Sequence, residues 1–232
     1  MYIVFLALFF VYIVVTTVIS VLLKMKPKDA VITEKTWIKN FIKNMVFLWG
    51  VTIAVLILCF VGDISLKALG FRLIAFKYNI WFTVVTLVLS GLVLVLFMHN
   101  LISSLTSAKW REKQVMDEGT RGVLPRTKKE KWLFSFSALS AGICEEIIYR
   151  GFVVFLLQAI FPSMPIYLII LLPSVVFGLA HFYQGLQGVI QTGFLGALFM
   201  SLFLATDSLL LAMLLHFIID FSATFILSEE QV

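Results

Sequence analysis

Charged residues are scarce in this chain of 232 residues: they make up 13% of it, whereas 61% of it is hydrophobic. A soluble domain carries about 25% charged and about 45–50% apolar residues, so the composition excludes an ordinary soluble protein. The mean hydropathy of +1.06 indicates an integral membrane protein. We therefore expect an all-α, polytopic bundle of transmembrane helices that forms a single integral membrane domain over residues 1–232.

Cysteine is also rare, and the two cysteines, Cys59 and Cys144, both lie in apolar runs. Such positions are typical of small buried hydrophobic side chains rather than of a disulfide or a metal pair. The net charge of +5 is not interpreted as nucleic-acid binding, because basic residues in a membrane protein usually set its topology. The sequence predicts no cofactor and no nucleic-acid partner.

Apolar runs long enough to cross a bilayer, about 20 residues each, are predicted at seven places in the sequence. An alternative count would split or drop one early run. Pro173 predicts a kink or a break in the fifth run. The runs are 2–23, 44–62, 79–104, 132–159, 165–182, 186–204 and 207–227.

Basic residues are concentrated in the loops 24–43 and 105–131, which fall on the same side of the membrane. These two loops hold 14 lysines and arginines, and the other side holds three. The excess predicts that both loops and the C-terminus are cytoplasmic and that the N-terminus is outside. We expect the plasma membrane of a prokaryote, which the short loops between helices suggest. The loop 105–131 is the expected linker between a three-span part, 1–104, and a C-terminal four-span part, 132–227.

Ionisable residues within the predicted spans are few. Each costs free energy inside a membrane unless it is paired or hydrated, so each is a functional candidate. His99, at the end of the third span, is interpreted as an interface residue, and the others all lie in the C-terminal part. The set is His99, Glu145, Glu146, Arg150, His181, His216 and Asp220.

Helical spacing divides the two adjacent glutamates. Glu146 and Arg150 are four residues apart, so they share a helix face and can form an ion pair. Glu145 points about 100° away on the same helix, with Tyr149 as its neighbour four residues on. We therefore expect Glu145 to meet a partner on another helix, or water. The alternative is that the three charges form only a polar lock between helices.

Two histidines accompany these carboxylates. His216 and Asp220 are four residues apart and face the same way, which fits either a functional pair or a buried packing pair. His181 stands before a polar turn, "FYQG", and on its own it fits an interface residue. A carboxylate with an imidazole can deprotonate a water, and a second imidazole can donate to an oxyanion. The set would suit amide hydrolysis, whereas the serines and Cys144 lack a nucleophile motif.

Three motifs occur in order on the fourth, fifth and seventh predicted spans: "EEIIYR" at 145–150, "FGLAH" at 177–181 and "HFIID" at 216–220. With these motifs the chain resembles the CPBP family of membrane proteins, which comprises CAAX proteases and bacteriocin-processing (Abi) proteins and is related to the type II CAAX prenyl endopeptidases. The resemblance covers about residues 130–225. It implies a metal-independent intramembrane glutamic endopeptidase.

The resemblance also implies a role for each motif residue. Glu145 and His181 would activate the water, and His216 with the residue at 220 would form the oxyanion site. Glu146 and Arg150 would support these groups, and Phe177 would pack behind His181. The CAAX branch carries asparagine at the last position, where this chain has Asp220. An ionised carboxylate repels an oxyanion, so we expect Asp220 to orient His216 while His216 donates.

Three other functions fit parts of the pattern. A zinc protease could use the same residues, although the HExxH motif is absent. A non-enzymatic immunity or regulatory protein could bind a peptide in the same cavity, and a transporter could use the groups as a proton relay. The expected partners are membrane lipid and a peptide or protein substrate with a hydrophobic or lipidated segment.

Overall fold

The computed structural model describes residues 2–6, 8–11, 15, 33–112 and 123–226. Helix dominates these residues, and they contain no β-strand. The all-α membrane-type bundle predicted from composition is therefore confirmed. Over the described residues 2–6 and 8–11 the N-terminal segment is helical, while the rest of the predicted first span lies outside the described residues.

Eight α-helices follow in the described part of the chain; short π- or 3₁₀-helical segments join two pairs of them, and a third such segment follows the last helix. They are α1 (Glu34–Val61), α2 (Ile80–Thr106), α3 (Ala108–Glu112), α4 (Lys128–Glu146), a π-helix (Ile147–Phe152), α5 (Val153–Ile160), α6 (Ile166–Ala180), a 3₁₀ turn (Phe182–Gln184), α7 (Gly185–Thr206), α8 (Leu209–Ser222) and a 3₁₀ turn (Ala223–Phe225).

Three helical stretches in the described residues are long and apolar enough to cross a membrane by themselves: α1, α2 and the stretch Phe182–Thr206 that contains α7. Shorter apolar helices cover Ile166–Ala180 and Leu209–Phe225. A helix of 15 residues is only about 22 Å long, which is less than the hydrocarbon core of a typical bilayer. The count of seven spans therefore stays a prediction.

Helix boundaries differ from the predicted spans where capping residues extend a helix beyond its apolar run. α1 begins at Glu34, ten residues before the predicted span, with the Thr33 side chain accepting from the Thr36 amide. α4 begins at Lys128 because Thr127 and Glu130 form a capping box. Pro173 does not break α6, which runs continuously from Ile166 to Ala180.

Large apolar side chains cover much of the outer surface. Phe60, Trp81 and Phe194 are each at least 74% exposed. A soluble protein rarely exposes an extensive apolar surface, whereas lipid solvates one readily. The exposed faces of α1, α2 and α7 are therefore the lipid-facing surface of an integral membrane protein.

The segment 62–79 closes over the turn between α7 and α8. The Ala75 amide donates to the Thr206 carbonyl (2.8 Å), and the Leu209 amide donates to the Gly70 carbonyl (3.1 Å). Asp207 takes a left-handed conformation (φ 49°) and forms ion pairs with Arg72 and Lys77. These contacts fix the start of α8, which carries His216.

Glycine lets α6 and α7 approach closely enough to bring their polar residues together. A Cβ atom on Gly178 would lie 2.7 Å from the Val189 carbonyl oxygen, and one on Gly196 would lie 3.1 Å from the Phe177 ring. The α6–α7 pair is therefore packed at backbone distance at the level of Phe177.

We expect Gly178→Ala to destabilise the protein by about 1–3 kcal/mol, the usual cost of overpacking, because the contacted atom belongs to backbone. Gly91→Ala is the matched control, since a Cβ atom there meets nothing within 4 Å. It should be neutral or stabilising by up to about 1 kcal/mol. Unfolding in detergent measures both; equal effects of the two substitutions would argue against the close α6–α7 contact.

Candidate active site

The chain changes its helical geometry immediately after the two adjacent glutamates. α4 ends at Glu146 and continues into the π-helix, in which the Val153 amide bonds to the Ile148 carbonyl. Bonds to the fifth residue back define this rare geometry, which often occurs at functional sites. Gly151 lies within it, and a Cβ atom there would lie 2.7 Å from the Leu69 carbonyl oxygen. The local packing thus excludes a side chain at residue 151.

Glu146 is the buried centre of the cluster. Its side chain is 0% exposed, and Oε1 accepts from Arg150 Nη1 at 2.9 Å and from His216 Nδ1 at 2.7 Å. Arg150, 1% exposed, also donates through Nη2 to the Gly196 carbonyl at 3.2 Å. The predicted Glu146–Arg150 pair is present, and the same carboxylate also binds His216, 70 residues further along the chain.

Aromatic rings enclose the charged groups. The Arg150 guanidinium lies 4.6 Å from the centroid of the Phe177 ring and 5.2 Å from that of Phe199. Phe199 also stacks on the His216 imidazole, with centroids 4.9 Å apart and planes 22° apart. Cations are attracted to ring faces, and more strongly where water is excluded. The rings therefore stabilise the buried charges as well as fixing the orientation of His216.

The second nitrogen of His216 faces two more carboxylates. Nε2 lies 3.5 Å from Asp220 Oδ2 and 3.9 Å from Glu145 Oε2. The Asp220 side chain is 37% exposed, and that of Glu145 is 17% exposed. One imidazole thus connects the buried side of the cluster to its accessible side.

His181 follows α6 directly and is held by the backbone of its own helix. Its Nδ1 lies 2.8 Å from the Phe177 carbonyl oxygen, and its ring lies 4.7 Å from the Phe177 ring. A carbonyl oxygen only accepts, so Nδ1 carries the proton. In the neutral imidazole Nε2 is then an acceptor.

Glu145 differs from its neighbour in its surroundings. Its side chain is 17% exposed, whereas that of Glu146 is 0% exposed; Oε2 of each carboxylate is buried without a protein hydrogen-bond partner among the residues that the structure describes. Its electrostatic neighbours include His181, His216 and Asp220, so the carboxylate lies among all three groups. Tyr149, one turn further on, packs edge-on against Phe177 (centroids 5.1 Å apart) and borders the same region.

The structure thus places every predicted site residue on α4 and the π-helix that follows it, on α6 or directly after it, and on α8. Direct contacts join Glu146, Arg150, His216, Asp220 and Glu145, and stacking joins His181 through Phe177. His99 is exposed near the end of α2, outside this cluster. The catalytic roles of these residues remain predictions.

Two residues of the cluster were missed in the sequence because they carry no charge. Phe199 stacks on His216, and the Gly196 carbonyl accepts from Arg150. Both lie in α7, the one helix of the C-terminal four without an ionisable candidate. The close glycine spacing of "GFLGALF" (193–199) is the only signal in the sequence that α7 approaches another backbone here.

The same geometry bears on whether these residues could bind a metal ion. Among the described residues no three histidines, cysteines, aspartates or glutamates are grouped so that they could hold a metal ion. Both nitrogens of His216 already face carboxylate oxygens, and Nδ1 of His181 faces a carbonyl. The polar groups here are arranged as a hydrogen-bond network.

Comparison with known proteins identifies the region that contains this cluster. A protein-family model described as "Type II CAAX prenyl endopeptidase Rce1-like" matches residues 127–222, which include all three motifs. No curated protein and no solved structure was found to match the chain. The match confirms the resemblance that the three motifs carry: over residues 127–222 this membrane protein is similar to the Rce1-like family of CAAX proteases.

Proposed function

We propose that this protein is an intramembrane glutamic endopeptidase that hydrolyses a peptide bond in a membrane-associated or lipidated peptide. The observation that best supports this proposal is the difference between the adjacent residues Glu145 and Glu146. Glu146 is fully buried, and its Oε1 accepts from Arg150 and His216, whereas Glu145 is 17% exposed, and its Oε2, 3.9 Å from His216 Nε2, accepts no protein hydrogen bond. Glu146 therefore serves the structure and Glu145 the chemistry.

Water activation is assigned to Glu145 and His181. The water donates one hydrogen bond to the Glu145 carboxylate and one to His181 Nε2, since both are acceptors. As the water oxygen attacks the scissile carbonyl carbon, its proton moves to Glu145. General-base catalysis of this kind contributes about 10²- to 10⁴-fold.

His216 is assigned to the oxyanion that forms in this attack. Its Nε2–H donates to the carbonyl oxygen as negative charge develops there, the largest electrostatic contribution in many enzymes. When the tetrahedral intermediate collapses, the carbon–nitrogen bond breaks and the proton on Glu145 passes to the leaving amine. The products are a new carboxyl terminus and a new amino terminus, and Glu145 returns to its starting state.

The substrate class follows from the family and from the surroundings of the site. The family name implies a prenylated protein tail, and the helices around the site present apolar faces to lipid. A hydrophobic or lipidated segment would partition into this lipid and bring the scissile bond close to Glu145. Residues 132–227 would form the catalytic core and residues 1–104 a lipid-embedded support, with 105–131 joining them.

The proposed orientation places the basic loops in the cytoplasm and the N-terminus outside. It is supported by the segment 62–79, which would lie outside and holds three basic residues, Lys67, Arg72 and Lys77, against 14 in the two loops on the other side. The excess of lysine and arginine marks the cytoplasmic side. His181 and Asp220 lie towards the ends of α6 and α8 that this orientation directs to the cytoplasm.

The substrate proposal is tested with purified protein in lipid nanodiscs and two synthetic tail peptides that differ only in a farnesyl group. We expect the lipidated peptide to be cleaved with at least a tenfold higher kcat/KM. Two results together would favour the non-enzymatic immunity or regulatory function. The folded, purified protein would cleave neither peptide, and cells with the wild-type protein and cells with Glu145→Gln would have the same membrane peptidome.

A further inference from the structure

We propose that His216 works as an imidazolium, protonated on both ring nitrogens, and that Asp220 is the positioning residue that retains the second proton. Only the use of this imidazolium in catalysis rests on the proposed function; its protonation does not. Its physical basis is the set of contacts around the ring. It assigns to Asp220 a role that an uncharged amide at this position would not perform.

Both nitrogens of His216 face carboxylate oxygens. Nδ1 lies 2.7 Å from Glu146 Oε1, and Nε2 lies 3.5 Å from Asp220 Oδ2. The same Glu146 oxygen also pairs with the Arg150 guanidinium at 2.9 Å. A neutral imidazole always leaves one nitrogen lone pair without a proton, and here that lone pair would point at a carboxylate whichever tautomer formed.

The charges on every neighbouring element support the same state. α4 contributes Glu145 and Glu146, α8 contributes Asp220, and Arg150 in the π-helix reaches His216 only through Glu146. With a neutral His216 these groups sum to a charge of −2, and with an imidazolium they sum to −1. Opposite charges in a poorly hydrated site attract strongly.

The two aromatic rings that contact His216 cannot accept its protons. α7 contributes the face of Phe199, 4.9 Å from the imidazole, and α6 contributes Phe177, 6.1 Å away and edge-on. A ring face attracts a cation. His216 therefore meets a carboxylate oxygen at each nitrogen and the π face of Phe199, and all three contacts favour the charged form.

The charge matters for the oxyanion site. Because Nδ1–H is committed to Glu146, a neutral His216 would have only an acceptor at Nε2 and could not donate to an oxyanion. Asp220, as a carboxylate, cannot donate either. When Asp220 keeps a second proton on His216, Nε2–H becomes a charged donor. This one strong donor then takes the place of two neutral donors, an imidazole and an amide at position 220.

The test uses ¹⁵N-histidine NMR of the full chain in nanodiscs at pH 8, where an ordinary imidazole (pKa about 6.5) is mostly neutral. The chain has three histidines, so substituting His99 and His181 in turn assigns the His216 signals. We expect both His216 nitrogens to be protonated in the wild-type protein. Asp220→Asn should raise the neutral fraction at least tenfold, and Asp220→Glu should restore the protonated state.

A wild-type spectrum with one unprotonated His216 nitrogen would overturn the proposal, as would an unchanged spectrum in a folded Asp220→Asn protein. The measurement needs no substrate and no turnover. An inactive protein with a doubly protonated His216 would contradict the proposed protease function alone. An active protein with a neutral His216 would contradict the imidazolium alone.

Discussion

Glu145→Gln is expected to lower the rate of peptide hydrolysis by about 10²- to 10⁴-fold, the contribution of a general base. Glutamine cannot take the proton from the attacking water, although it has nearly the same shape. Glu145 Oε2 has no protein hydrogen-bond partner in the described residues, so the amide should be tolerated without loss of folding. The measurement is initial rate and thermal unfolding on the same purified samples.

Glu130→Gln provides the matched control for this substitution. Glu130 lies in the same helix and is buried, but its carboxylate accepts from the amides of Arg126 and Thr127 in the capping box. Glutamine can fill the same position in such a box, so activity should stay within a few-fold of wild type. Equal activity of the Glu145→Gln and wild-type proteins would remove Glu145 from the mechanism.

Arg150→Met is expected to cost about 3–5 kcal/mol of stability, the usual effect of removing one partner from a buried ion pair. The substitution leaves the Glu146 charge buried beside His216 alone and removes the bond to the Gly196 carbonyl. It also displaces the group that lies over Phe177 and Phe199. Unfolding in detergent, followed by circular dichroism, measures the loss.

Arg72→Met is the control for this second prediction, because it also removes an arginine from an ion pair. The Arg72 side chain is 29% exposed, and its partner Asp207 would keep Lys77. Partly exposed pairs contribute about 0–1 kcal/mol. If the two substitutions destabilise the protein equally, burial of the Glu146–Arg150 pair is not what makes it important.

Contacts within one helix were predictable because helical spacing alone determines them. Glu146 and Arg150 were expected to pair at four residues, and they do so at 2.9 Å. The same spacing separated Glu145 from that pair. The order of the motifs then indicated which spans meet. Each motif is weak, but the three together, on three different helices, are specific for one family, and this implies that their residues share one site.

Contacts between helices were not predictable to the same degree. The bond from His216 to Glu146 depends on how α8 crosses α4, where Gly142 brings the α4 backbone close to Met213 and Phe217. The contribution of Phe199 was missed because a search for charges passes over an apolar helix. The π-helix was missed because "IIYRGF" has no pattern that distinguishes it from an α-helix.

Helix ends were the least predictable part of the fold. Hydropathy marks where a helix enters lipid, whereas the helix itself begins where its hydrogen bonds begin. Caps at Thr33 and Thr127 start α1 and α4 among charged residues that hydropathy assigns to loops. The closure of segment 62–79 over Asp207 likewise rests on backbone bonds that no local pattern encodes.

The most direct test of the central claim is mass spectrometry of a lipidated tail peptide incubated with purified protein in nanodiscs and a strong metal chelator. A water activated by Glu145 predicts a fragment with a new carboxyl terminus in the wild-type sample, and none above background with Glu145→Gln. Cleavage that persists in Glu145→Gln, or that is lost to the chelator and restored by zinc, would contradict the account.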